Sequence, residues 1–139
     1  MRQGFNLIEM VIALALVAIV AAVTLPRASG FIDRIQVRGA VTEIAALFST
    51  ARHAAIVRGA RATLEIDTGR GIIVVRVEAD TVAIREISAA HGVGITTNRA
   101  SITYSPIGVG YGAANFTMTV QRNDAADTIY VSRLGRVRN

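Results

Sequence analysis

The apolar positions change rhythm three times along the chain. Residues 5–25 form an apolar run of 21 residues whose only ionisable side chain is Glu9. As a helix rising about 1.5 Å per residue, that run reaches roughly 31 Å, the thickness of a hydrocarbon core. Pro26, which cannot donate a helical hydrogen bond, and Ser29-Gly30 after it predict a bend or loosening between residues 25 and 31. Helical spacing then resumes. Val37, Val41, Ile44, Phe48, Ala51 and Ala55 step by four and three residues and so share one face, with Gln36, Glu43, Ser49, Thr50, Arg52 and His53 largely off it. Gly59 is the expected C-terminal cap.

Beyond Gly59 the period shortens. Residues 62–66, 71–79 and 81–87 are rich in β-branched side chains and are separated by the turn signals Asp67-Thr68-Gly69 and Asp80. Further strands are predicted at 101–105, 115–121 and 128–133, and Phe116, Met118 and Val120 alternate with Asn115, Thr117 and Thr119 as in a half-buried strand. The Gly-rich stretch 108–112 reads as a flexible connection. An amphipathic helix needs a sheet to cover its apolar stripe, so the pattern predicts an α+β chain.

Composition narrows what such a chain can be. Of 139 residues, about 114 (139 − 25) follow the apolar run, enough for one small domain with its own core. There is no cysteine, so neither a disulfide nor a thiolate nucleophile is available. Fifteen basic residues, all Arg, oppose ten acidic ones for a net charge of +5. That balance permits anionic partners without demanding them.

Glu9 is the oddity. An acid inside a membrane-length segment costs on the order of 2.5 to 3.5 kcal/mol on insertion scales, less near the surface, and asks for a partner. An ordinary secretory signal has a shorter apolar core of about 7 to 15 residues, and a plain single-span anchor leaves the acid unexplained. A cut between Gly4 and Phe5 would create the α-amine of Phe5, a cation four residues before Glu9. The carboxylate then has a partner on its own helix or a neighbouring one.

A short basic leader ending in Gly (MRQG), then Phe5, Glu9 four residues further on, an unbroken apolar helix and a Pro after it resemble the type III signal of type IV pilins and type II secretion pseudopilins. The resemblance implies cleavage after Gly4 by a membrane prepilin peptidase, methylation of Phe5, and use of Glu9 to register one subunit against the previous one in a filament. LFSTARHAAIVRGA (residues 47–60), the strands after it, a PIG turn at 106–108 and the closing VSRLGRVRN at 131–139 look like the GspH/FimT group of minor pseudopilins and pilins. That likeness implies a long helix packed on a small antiparallel β-sandwich-like head. The expected organisation is a leader at 1–4, a transmembrane helix at 5–25, an amphipathic extension at 26–59 and a periplasmic head at 60–139. The implied protein is an H-type minor pseudopilin of a type II secretion system, anchored by a single pass in the bacterial inner membrane until extracted into a pseudopilus, with other pseudopilins or pilins as partners. The alternative is a FimT-like minor pilin that binds extracellular DNA for uptake.

Candidate chemistry points away from an enzyme. His53 and His91 have no cysteines near them and no HExxH or paired-carboxylate spacing, so each reads as a surface residue, and no catalytic, metal or cofactor site is expected. The turns at 69–71 and 108–112 lack the GxxxxGK[ST] pattern of a phosphate loop. Glu65, Asp67, Glu78, Asp80 and Glu86 lack a calcium-loop pattern and read as a solvated sheet face balanced by Arg76 and Arg85.

The tail is different. If residues 136–138 are extended, Arg136 and Arg138 face one side about 6.5 Å apart, with Arg133 close by, and their guanidinium forks can grip phosphates. Gly135, Arg136 and Arg138 match the Gly-Arg-x-Arg tail through which pilus members of the resembled group capture DNA. A terminal strand that merely shows Arg to solvent is the competing reading.

Overall fold

The computed structural model describes residues 6–111, 116–132 and 136–138, with residues 25–28 described by backbone alone. The chain divides into two compact units, Met1–Ile32 and Asp33–Asn139. Helix α1, Leu7–Arg58, contributes to both. Asn6 starts it: its carbonyl accepts from the Met10 amide at 3.1 Å and its side-chain oxygen from the Ile8 amide at 3.4 Å, as an N-cap does. The helical backbone continues through Pro26. The proline predicted to loosen the helix therefore does not end it, because in a long helix the flanking turns still pair their own backbone groups around one missing donor.

In the second unit the helix has the amphipathic face the spacing predicts. Val37, Val41, Ile44, Phe48, Ala51 and Ala55 are each at most 2% exposed, and Ala40, Leu47 and Ala54 widen the buried stripe. After Arg58 the Gly59 amide donates to Ile56 and the Ala60 amide to Ala55, at 3.3 and 3.2 Å, with Gly59 at φ +59. Those two bonds are a Schellman cap, which ends the helix and turns the chain into the first strand.

Two antiparallel sheets cover the stripe. The strands are β1 (Ala62–Asp67), β2 (Ile72–Val77), β3 (Asp80–Glu86), β4 (Gly94–Thr97), β5 (Ser101–Tyr104), β6 (Gly110–Tyr111), β7 (Phe116–Arg122), β8 (Ala125–Val131) and β9 (Val137–Arg138). The first sheet has the order β3-β2-β1-β5-β6 and the second β4-β7-β8-β9. Inward residues alternate along each: Ala62, Leu64 and Ile66 in β1, Ile73, Val75 and Val77 in β2, Phe116, Met118 and Val120 in β7. Phe116 meets Phe48 of the helix edge-on, ring centroids 5.5 Å apart, a geometry the ring quadrupoles favour.

Four segments depart from the sequence expectations, one of them β4, which the pattern did not predict. Residue 87 opens a short helix α2, Ile87–His91, instead of closing a strand, because Ile87 is wholly buried under the helix turn. Within the stretch 108–112, Gly110 and Tyr111 form β6, paired to Tyr104 and Thr103, and Gly112 lies outside the described residues. β8 begins three residues earlier than predicted, since Ala125 continues the ladder against Arg122.

Candidate functional site

The residues singled out by sequence fall into an N-terminal and a C-terminal set. Gly4, Phe5, Arg133 and Gly135 lie outside the described residues. Glu9 occupies the first turn of α1 and is exposed among apolar neighbours, Ile8 at 64% and Met10 at 53%. Nothing among the described residues pairs with it. A carboxylate in a first turn gains about 0.3 to 1 kcal/mol from the helix dipole. That is smaller than the roughly 2.5 to 3.5 kcal/mol cost of an acid in a membrane segment, so the dipole alone does not account for Glu9. The helix is long and apolar enough to cross a membrane by length and composition.

The tail does form a strand. β9 pairs antiparallel with β8, Val137 opposite Val131 and Arg138 opposite Tyr130. Ser132 and Arg136 fix its start: the Ser132 amide donates to the Arg136 carbonyl at 3.0 Å, and the Arg136 amide donates to Ser132 Oγ at 3.2 Å. Val137 packs against the core while Arg136 and Arg138 are exposed. Beside this edge strand runs the helix. A hollow of about 410 Å³ lies between them, lined by Ala45, Ser49 and Arg52 of α1, by Val137 and Arg138 of β9 and by Arg136 just before it. Arg52, 84 residues before Arg136 (136 − 52), joins the tail there.

A second polar constellation was not legible in the sequence. Asp33, 8% exposed, accepts from Arg122 Nε at 2.7 Å and from Asn123 Nδ2 at 2.8 Å. Those two hydrogen bonds, Asn123 first, hold its carboxyl below the ordinary aspartate value; burial opposes them and the Arg122 charge assists. Arg122 Nη1 also donates to the His91 carbonyl at 2.6 Å. Gly92, at φ +63, caps α2 in the left-handed region, and a Cβ there would collide with the Arg122 guanidinium. The β7–β8 turn, α2 and the helix are thereby clasped together.

His91 corrects the surface reading. Its ring sits between Gln36 Oε1 at 3.2 Å and Glu43 Oε2 at 2.9 Å and is only 20% exposed. Arg85 also departs from expectation, pairing with Glu43 on the helix at 3.4 Å and not with a sheet acid, because edge strand β3 leaves its long side chain free to reach α1. Arg76 does pair with Glu65 across β1 and β2, at 3.4 Å. His53 is exposed as expected.

Residues 40–135 match the family described as Type II transport protein GspH. A stretch of 58 residues is 41% identical to a fimbrial protein of Pseudomonas aeruginosa, covering 42% of this chain and 37% of that protein. The chain thus spans little more than a third of the length of the curated relatives it matches. Its fold is similar to the crystal structure of the type IV minor pilin FimU of Pseudomonas aeruginosa PAO1, with a TM-score of 0.66, 16% identity, and coverage of 76% of this chain and 88% of that one. It is also similar to the minor pseudopilin EpsH from the Type 2 Secretion System of Vibrio cholerae, with a TM-score of 0.58, 11% identity, and coverage of 74% and 94%. At such identities the structural likeness concerns the fold alone.

Proposed function

The chain belongs to the GspH family, whose fold is that of pilin and pseudopilin subunits, and from that premise we propose that it is an H-type minor pseudopilin that assembles into the periplasmic pseudopilus of a type II secretion system. Its work is assembly. A prepilin peptidase removes residues 1–4, and residues 5–25 hold the subunit in the inner membrane with the head in the periplasm. The same apolar helix then packs against those of neighbouring subunits. The observation that carries this reading is Glu9, exposed on an apolar helix with no partner among the described residues. In hydrocarbon that carboxylate is costly until it meets a cation. The α-amine exposed at Phe5 supplies one, so the docked position is the one that pairs the two charges.

Glu9→Ala separates cleavage from docking, because the peptidase acts on the leader and the carboxylate acts afterwards. The variant is expected to be cleaved normally and to enter filaments poorly. A hydrogen bond to a charged group contributes about 1.5 to 3 kcal/mol, so incorporation should fall by about tenfold or more. Normal incorporation of the cleaved variant removes the registering role.

A second reading is favoured by the tail. Arg136 and Arg138 are exposed and form no ion pair with a described acid, which suits a minor pilin that captures DNA. In the full chain held in nonionic detergent, changing both to Ala should shallow the log-log salt dependence of duplex binding by roughly 2, since each phosphate contact contributes about 0.9. A slope unaffected by the double substitution rejects the tail as a DNA site.

A further inference from the structure

We infer that Arg52 is a third phosphate-binding residue, so that a DNA backbone is held in the groove between α1 and β9 and not on the tail strand alone. The inference rests on the DNA reading above and extends it from the strand to the helix.

The groove is built from two walls. Ala45, Ser49 and Arg52 stand four and three residues apart and so form one stripe on the helix. β9 is laid beside that stripe by Val137, which tucks into the core, and by the paired bonds of Ser132 and Arg136. The small side chain of Ala45 leaves room between the walls. The hydroxyl of Ser49 adds a hydrogen-bond donor that serves a phosphate oxygen as well as water.

Charge gives the groove its occupant. Arg58, Arg70, Arg76, Arg85 and Arg122 each pair with a carboxylate of the helix or the head. Arg52, Arg136 and Arg138 have no such pair among the described residues, yet they line one hollow of about 410 Å³ whose described lining holds no acidic side chain. Three like charges gathered in so small a space repel one another, and nothing in the described lining relieves them. An anion that spans all three does. An extended strand repeats its side chains about every 6.5 to 7 Å, a spacing commensurate with successive phosphates of one nucleic-acid strand, and Arg52 reaches the same polyanion from the opposite wall. Among the described residues no aromatic ring lines the hollow. The groove therefore has no platform for base stacking and recognises the backbone irrespective of sequence.

The test uses the full chain in nonionic detergent and a short fluorescent DNA duplex, titrated between about 50 and 200 mM salt. Arg52→Gln should lower the salt slope by about 0.9, the same step as Arg138→Gln, whereas Arg52→Lys should keep it. Arg99→Gln removes an exposed arginine outside the hollow and should leave the slope as it is. If the Arg136 and Arg138 variants lose slope while Arg52→Gln does not, the inference is overturned and the tail reading stands. If the unaltered chain shows no salt-dependent binding to the duplex, both fall. If Arg52→Gln instead weakens binding to phosphatidylglycerol vesicles and leaves DNA binding intact, the groove serves a membrane surface and the inference is overturned.

Discussion

Helix α1 contains two apolar stretches with opposite fates. Leu7, Leu14 and Val17 are 79%, 66% and 65% exposed, whereas Val37, Ile44 and Phe48 are at most 2% exposed. Both stretches are hydrophobic, so hydrophobicity alone does not say which one folds against the rest of its own chain. What differs is the polar complement. The second stretch carries Asp33, Gln36 and Glu43, each bonded to a head side chain, and its apolar stripe finishes on two sheets. The first has one acid and no polar face, and its apolar surface, worth about 25 cal/mol per Å² when covered, is left uncovered by the described residues.

The sharpest way to break that contrast is to truncate one apolar side chain in each of the two stretches. Phe48→Ala removes a fully buried ring that meets Phe116, and the head should lose about 3 to 5 kcal/mol in denaturant unfolding. Val17→Ala should leave head unfolding unchanged in the same detergent. Equal losses from the two would erase the distinction between a stretch stabilised from within and one stabilised from outside.

Acid titration probes the polar complement with a smaller effect. The folded Asp33 carboxyl lies below the ordinary aspartate value of 3.8. Its contribution is therefore complete above that value and is lost as pH falls through the lower, folded one. The stability difference between the parent chain and Asp33→Asn should be constant near neutral pH and shrink on acidification below about pH 4. A difference that grows in acid contradicts the clasp.

Much of the head was legible because its signals are local. The four-and-three spacing from Val37 to Ala55 and the alternation of Phe116, Met118 and Val120 each report one element's buried face, and β1 and β2 follow β-branched runs. The segment 87–97 was not legible, because α2 has five residues and β4 has four, too few for a period to declare itself. Gly92 is the nearest thing to a signal there, and its reason is Arg122, thirty residues away (122 − 92). The joining of Arg52 to the tail is non-local for the same reason. Spacing named Arg136 and Arg138, but only the fold brings the helix beside them.

Glu9 remains the residue on which the proposed function turns, since the registering role proposed for it requires a chain end that only proteolysis creates. Intact-mass measurement of the protein recovered from its native host tests this most directly. The expected product is a chain lacking residues 1–4 and carrying one added methyl group at Phe5; recovery of the chain with MRQG still attached would contradict the proposed role of Glu9.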